Sequence, residues 1–422
     1  MDNTEPAGQI TGSITANPKS VFIGQRCTVS WETNDPAGAE VRVATGPDDE
    51  KIVTQGEQSG EIEIPWIKDS KVYEFRLYAA SQPNAPIDSV EVRRDFESVP
   101  IILRELAEEA TRGNIGTAEL SQFIATVILH CLQSGRVHQI FPFWEKHGFH
   151  VTPVHFYQPI PDTQSLPDAL WSTRSDLVGI DMNDAVQLDL LRKHFPKFRD
   201  EYERFPIKPT GDPSQFYLDN HLFDGADALV AYCMVRQFQP ELIVEVGSGY
   251  SSLILGEAAA HSDSPPALTC IEPFPREFLR EGFPGLRSLI EKRVQDIDLE
   301  FFSQLGSGDV LFIDSSHTVK IGGDVNYLFL EVLPRLKPGV IVHVHDIFFP
   351  FDYRRDWVME EFRFWTEQYL LQAFLTFNSE FEVLMSNSYL SHYHERELKA
   401  AFPTLPSCGG GSFWMRRKPL TD

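Results

Sequence analysis

The sequence predicts an α/β protein whose second half is a doubly wound, mostly parallel sheet, preceded by a small all-β sandwich and a helical connector. Three observations carry this. The stretch Leu242–Ser252, LIVEVGSGYSS, reads as an apolar strand, a glycine turn and a helix start. DVLFIDSSH, from Asp309 to His317, and the run Val340–His345 read as further buried strands with acidic or histidine residues at their ends. Ahead of all these, from about Ile10 to Arg94, apolar and polar residues alternate with the period of two that marks half-buried strands.

A chain of 422 residues is long enough for two or three domains, each with its own core. The expected division is a sandwich at 8–95, a helical connector with an extended strap at 96–210, and the α/β domain at 211–422. The 37 basic against 61 acidic residues give a net charge of −24, a surface that repels phosphate backbones, so no nucleic-acid partner is expected. The first residues, MDNTEPAGQITGSI, lack the basic head and apolar middle of a signal peptide, and no apolar run approaches spanning length. No membrane span and a cytoplasmic location are therefore expected. The five cysteines are scattered, with neither metal-type spacing nor a disulfide framework, and read as buried free thiols.

In the first segment, Cys27, Val29 and Trp31 alternate with Thr28 and Ser30, and Tyr73, Phe75 and Leu77 with Glu74 and Arg76. Turn clusters at Asn34–Gly38, Gly46–Glu50 and Gln82–Pro86 separate the strands. The pattern is that of an immunoglobulin- or fibronectin-like sandwich, without a second cysteine to bridge Cys27. It carries no catalytic constellation. A glycan or protein partner would use exposed aromatics, for which Trp66 and Tyr78 are the candidates against a packing role.

Between Val99 and Gly148 the period becomes helical, with apolar stripes at Ile101, Ile102, Leu106 and Ala110 and at Leu120, Phe123, Ile124, Val127, Ile128 and Leu132. His130, His138 and His147 do not share a metal-binding face. The segment HVTPVHFYQPIPDT, His150–Thr163, is held extended by its prolines and is either a wall over a substrate or a structural strap. A helix is expected over Ala185–Arg199 and another over Asp224–Gln237. Tyr217 and Asn220, just before the second, are candidates for ligand contact or for turn formation.

The glycine turn invites a ligand against the main chain. A dinucleotide fingerprint asks for a third glycine where Ser252 stands, and Glu245 ahead of the turn would repel a pyrophosphate but suit a cationic ligand. The E-x-G-x-G run of Glu245, Gly247 and Gly249 resembles the first motif of class I methyltransferases that use S-adenosylmethionine (SAM), although Ser251 replaces the family's third glycine. The turn Leu336-Lys337-Pro338-Gly339 before a buried strand and the closing GGSFW are similar to that family too. The strap resembles a segment that precedes the catalytic domain in a group of bacterial methyltransferases.

The resemblance implies a Rossmann-like methyltransferase sheet with SAM held by Glu245, Gly247, Ser248, Gly249, Tyr250 and Ser251. Glu272, at the end of the second strand, is placed to accept hydrogen bonds from ribose hydroxyls, which supports adenosine binding without choosing SAM over NAD. A short strand is expected at Arg293–Val294, and the family pattern puts Asp296 at its end, near the adenine. Asp314, at the tip of a buried strand, faces the ligand crevice, and His317 has the ordinary pKa of a general base. Asp314 and Asp346 end what should be adjacent strands. Together they would hold a divalent cation such as Mg²⁺, as in catechol-type and macrolide-sugar O-methyltransferases, but the third oxygen ligand of those enzymes is missing beside Asp346, where His345 and Ile347 stand. Phe351, Tyr353 and Trp357 are expected to shape the acceptor pocket, with a helix over Trp357–Leu375 and Phe362 and Trp365 in the core.

The function expected is methyl transfer from SAM to a hydroxyl of a small-molecule acceptor, with His317, Asp314 and Asp346 as catalytic residues. Two other readings stay open at this point: a non-catalytic nucleotide-binding scaffold, and an NAD-dependent oxidoreductase.

Overall fold

In a computed structural model, alternation in the first segment becomes eight strands: β1 (Gly12–Asn17), β2 (Ser20–Val21), β3 (Cys27–Thr33), β4 (Ala39–Ala44), β5 (Glu50–Gln55), β6 (Ser59–Ile64), β7 (Val72–Ala79) and β8 (Asp88–Arg94). The structure describes residues 9–21, 25–46, 49–67, 72–94, 99–133, 137–262, 264–405 and 408–418. One sheet has the order β1-β3-β6 and the other β2-β8-β7-β4-β5. Their inward residues, among them Val29, Trp31, Val41, Phe75, Leu77 and Val92, form one core, because alternate side chains of a strand share a face. Cys27 is buried there as a free thiol.

Tyr78 is buried, donates its hydroxyl to Glu50 at 2.9 Å and lies under the Arg42 guanidinium at 4.1 Å. It is a packing residue. Trp66 is 37% exposed and meets Tyr73 edge-on with ring centroids 5.7 Å apart. Helices follow at Val99–Thr111, Thr117–Gln133 and Val137–Lys146. The side chains of His130, Cys131 and His138 lie outside those described.

The chain divides into two compact units, Met1–Val151 and Thr152–Asp422. This boundary falls inside the stretch expected to be a connector. The physical reason is burial: Leu177 and Met182 join one core of the second unit, and Leu190, Leu191, Phe195 and Tyr202 join the other. The strap, His150–Thr163, contains no strand or α-helix, and Phe156 and Tyr157 are each 82% exposed.

The second unit is built on β9 (Leu242–Val246), β10 (Ala267–Ile271), β11 (Leu286–Ile290), β12 (Val310–Ile313), β13 (Ile341–Val344), β14 (Phe381–Ser386) and β15 (Phe413–Arg417). Their order is β11-β10-β9-β12-β13-β15-β14. The ladders from β11 to β13 are parallel and those of β15 antiparallel. Helices Gly225–Phe238 and Tyr250–Ala260 pack on one face, and the helical run 324–335 with helix Glu367–Leu375 on the other. The central strands are buried on both faces, which is why they read as continuous apolar runs. Among the described residues no helix is long and apolar enough to cross a membrane.

Two elements differ from expectation. The third strand is Leu286–Ile290, and Val294–Asp296 is a tight helical turn. The strand's mixed sequence, LRSLI, is only partly buried at the sheet edge and carries no clear period, so the sequence does not mark it. The long helix expected over 357–375 is two helices, Arg355–Met359 and Glu367–Leu375. Between them Phe362 takes φ +57° and is exposed rather than in the core. The break places Thr366 and Glu367 so that both backbone N–H groups donate to the His317 carbonyl, at 2.8 and 3.1 Å.

Candidate functional site

Parallel strands direct their carboxyl ends to one edge of the sheet, and there the loops after β9, β10, β12 and β13 surround a cavity of about 950 Å³. Its wall begins with the glycine loop. Gly247 has φ +79°, and a Cβ at this position would stand 1.7 Å from the Asp314 carbonyl oxygen, so only glycine lets the loop lie against the tip of β12. Ser248 donates its N–H to Glu272 at 3.2 Å, and Phe274 donates to the other oxygen of that carboxylate at 2.8 Å. Glu272 is thus held beside the loop, at the cavity edge.

Glu245 does not reach the cavity. Its carboxylate is fully buried under the loop, where Ser252 Oγ and Cys270 Sγ donate to it. Ser252 Oγ in turn accepts the Gly249 N–H at 3.0 Å, so Glu245 braces the loop from below. Ser251, the residue in place of a third glycine, is buried at the start of the helix that follows the loop. Glu245 therefore supports the loop from below and does not contact a ligand in the cavity, contrary to expectation.

Burial pushes the Glu245 carboxyl up to about 7, against the hydroxyl bonds that favour its charge. An acid whose pKa rises on folding stabilises the fold below its unfolded value, near 4.5, and that contribution is lost as pH rises to about 7. The interval corresponds to about 3 kcal/mol. Glu245→Gln should remove this pH dependence: urea unfolding between pH 4.5 and 8 should show the variant gaining about 3 kcal/mol relative to the parent. Parallel profiles would contradict the assignment.

Asp296 sits on the exposed turn, paired with Arg293 at 2.8 Å, and is not part of the cavity wall. Its neighbour Gln295 lines a smaller adjoining cavity together with Glu272 and Asp314. Tyr250 lines the main cavity, with its hydroxyl 3.2 Å from that of Tyr217. Asn220 is a turn former: its amide donates to the Tyr217 and Phe223 carbonyls, and its oxygen accepts the N–H groups of Leu222 and Phe223.

Across the cavity, β12 and β13 pair in register, Ile313 opposite Val344, which brings Asp314 and Asp346 to one place as expected. His317 Nε2 lies 3.3 Å from Asp314 and 3.6 Å from Asp346, and its Nδ1 lies 2.9 Å from Glu367. His345 Nδ1 lies 3.5 Å from both aspartates, and its Nε2 3.5 Å from Asp227. Ligand atoms of Asp314, His317 and Asp346 all fall within 4.8 Å of one another. His317 and Asp346 both adopt positive φ, +56° and +57°, a conformation non-glycine residues hold only when their surroundings impose it.

These groups charge one another. Burial opposes the imidazolium of His317, but bonds to Asp314 and Glu367 outweigh it and raise the ring to about 10. His345 is likewise raised, against burial, by Asp346 and Asp314. Burial of Asp314 is outweighed by the two rings, and its carboxyl is held well below the usual range. Both nitrogens of His317 face carboxylates, so the ring is not placed to take a proton from a substrate. The role of base expected for it does not fit this geometry.

Asp227 and Glu367 escaped the sequence reading. Asp227 accepts from Asn387 Nδ2 and the Gly411 and Ser412 N–H groups, at 2.8, 2.9 and 2.8 Å. A lone acid inside the apolar run ADALVAY was its only signal, and Glu367 had none. The outer wall is aromatic: Phe348, Phe351, Trp357 and Trp365 line the cavity, while Tyr353 is buried behind it. Trp365, expected in the core, stacks on His317 with ring centroids 4.3 Å apart.

A family model described as a methyltransferase domain matches residues 244–347, the span from β9 to just past β13 that builds this cavity. The second unit carries a methyltransferase domain. An uncharacterized protein of Archaeoglobus fulgidus is 33% identical to it over 164 residues, 36% of this chain and 72% of that protein. Among solved structures, a putative O-methyltransferase from Klebsiella pneumoniae matches 55% of this chain and 90% of its own at 15% identity and a TM-score of 0.29. The SAH-bound Podospora anserina methyltransferase PaMTH1 matches 55% and 88% at 20% identity and a TM-score of 0.29. The methyltransferase span contains the glycine loop, Glu272, Asp314, His317 and Asp346, whereas Asp227 and Glu367 come from outside it.

Proposed function

We propose that this methyltransferase uses SAM to methylate a hydroxyl oxygen of a small-molecule acceptor. The observation that carries the reading is the arrangement of one cavity: a glycine loop and Glu272 on one side, two strand-tip aspartates on the other, aromatic rings over the mouth. Glu272 would accept the ribose hydroxyls, with Gly247, Ser248, Gly249, Tyr250 and Ser251 forming the cofactor wall. Gln295, which lines the adjoining cavity, would take the adenine side in place of Asp296, whose carboxylate pairs with Arg293.

The acceptor oxygen attacks the methyl carbon in line with the carbon–sulfur bond, whose electron pair leaves with sulfur. Asp314 and Asp346 accept the hydroxyl's hydrogen bond and orient it, and Asp346 carries off the proton as the new bond forms. Phe348, Phe351, Trp357 and Trp365 exclude water and hold an apolar or ring-shaped acceptor by stacking.

Where Mg²⁺ is expected, the donor set of two carboxylates with imidazole nitrogen fits a divalent ion that accepts nitrogen. Asp314 and Asp346 would hold the ion, and a cation bound there makes an acceptor hydroxyl easier to ionise.

Calorimetry with S-adenosylhomocysteine (SAH) tests the cofactor assignment. Binding is expected to the intact protein and to fall at least about 100-fold in Glu272→Ala, since two ribose hydrogen bonds to a charged partner are removed. Absence of SAH binding, with NAD binding in its place, would overturn the reading in favour of a dehydrogenase.

A further inference from the structure

We propose that His317 and His345 are themselves ligands of a divalent transition metal, completing a site with Asp314 and Asp346, and that Glu367 and Asp227 are the residues that orient the two rings. This rests on the site assigned above, but it changes the ion and the roles of four side chains.

The argument begins with the rings. Each presents one nitrogen to the Asp314–Asp346 pair and the other to a separate buried carboxylate, Glu367 for His317 and Asp227 for His345. A metal-bound imidazole characteristically gives its second N–H to a carboxylate, which fixes the tautomer and the ring plane. Here His317 makes that hydrogen bond to Glu367 at 2.9 Å, and His345 Nε2 faces Asp227 at 3.5 Å, just beyond hydrogen-bond geometry. Ligand atoms about 2.1 Å from a common ion stand about 3.0–3.4 Å apart, depending on geometry; the four carboxylate–imidazole separations, 3.3, 3.6, 3.5 and 3.5 Å, are at or slightly above that range, so a bound ion would draw the donors in by a few tenths of an ångström.

The rings are also held against rotation. Trp365 stacks on His317, and Phe223 packs on His345 with ring centroids 5.0 Å apart. Positive φ at His317 and Asp346 is a local cost at two of the four donors. The neighbouring His343 has a different fate: it faces Ser412 at 3.0 Å and stacks on Phe312, away from the aspartates.

The donor set selects the ion. Mg²⁺ takes oxygen ligands and keeps its waters, whereas two imidazoles with two carboxylates suit Zn²⁺, Fe²⁺ or Co²⁺. The missing third oxygen beside Asp346 is then no defect, because His345 supplies nitrogen in its place.

Full-length protein stripped with a chelator would be titrated with Co²⁺, followed by calorimetry and visible absorption. One equivalent should bind with visible bands, be displaced by Zn²⁺, and resist an equal concentration of Mg²⁺. Glu367→Gln should bind Co²⁺ 10- to 100-fold more weakly with SAH affinity unchanged. Asp346→Asn, at a more accessible donor, should weaken Co²⁺ at least about 10-fold and serves if Glu367→Gln does not fold. Failure of Co²⁺ to bind a protein that binds SAH, ready displacement by Mg²⁺, or full Co²⁺ affinity in both variants would overturn the inference. Co²⁺ binding without SAH binding would instead remove the cofactor assignment and leave the metal site standing.

Discussion

Gly247→Ala should abolish SAH binding and lower the stability of the second unit by about 3–5 kcal/mol, from steric overlap and left-handed backbone strain together. The new methyl would lie 1.7 Å from the Asp314 carbonyl oxygen and 2.7 Å from its carbon, both backbone atoms. Neither strand can step aside cheaply, because Gly247 donates to the Ile271 carbonyl at 2.9 Å and Asp314 to the Val246 carbonyl at 2.8 Å. Thermal melting should show a fall of about 10 °C. Gly249→Ala is the control: its Cβ meets nothing within 4 Å and its φ is extended, so stability should hold and any loss of SAH affinity reports contact with the ligand itself. If Gly247→Ala melts with the parent and binds SAH normally, the glycine loop does not form the cofactor wall.

Asp227→Ala should destabilise by a similar amount, for an electrostatic reason. The substitution leaves Asn387 Nδ2 and two backbone N–H groups without their buried acceptor, and removes the charge that faces His345 Nε2. Removing one partner from a buried charged network costs about 3–5 kcal/mol. Urea unfolding should show the loss. Asp227→Asn, which keeps the shape and one acceptor oxygen, should recover part of it. Equal stability of Asp227→Ala and the parent would show that the carboxylate does not tie β15 and the Gly409–Gly411 loop to the helix below.

The two effects differ in how visible they were. Gly247 was legible because its demand is local: a strand, a turn with φ positive and a helix start follow one another within Leu242–Ser252. The parallel strands were legible for the same reason, since a strand buried on both faces must be apolar throughout. Their acidic tips, Glu272, Asp314 and Asp346, were legible because a carboxylate ending such a strand has few places to be except the crevice. The β-sandwich was equally plain from its period of two.

What escaped depends on distance along the chain. Glu245 reads identically whether it points into the cavity or under the loop; only the packing of Ser252 and Cys270 against it decides. Asp296 was carried by a strand that lies several residues earlier. Glu367 stands 50 residues from its partner His317 and Asp227 stands 118 residues before His345, so no local pattern could pair them.

The sequence by itself determined a doubly wound, mostly parallel sheet, its glycine turn and the strand tips at its carboxyl edge, because each follows from periodicity and backbone conformation over a few neighbouring residues. Only the tertiary structure decided which side chains meet in that crevice. Burial turned Glu245 into a brace, and two carboxylates brought from distant helices turned His317 and His345 from free imidazoles into fixed members of one cluster.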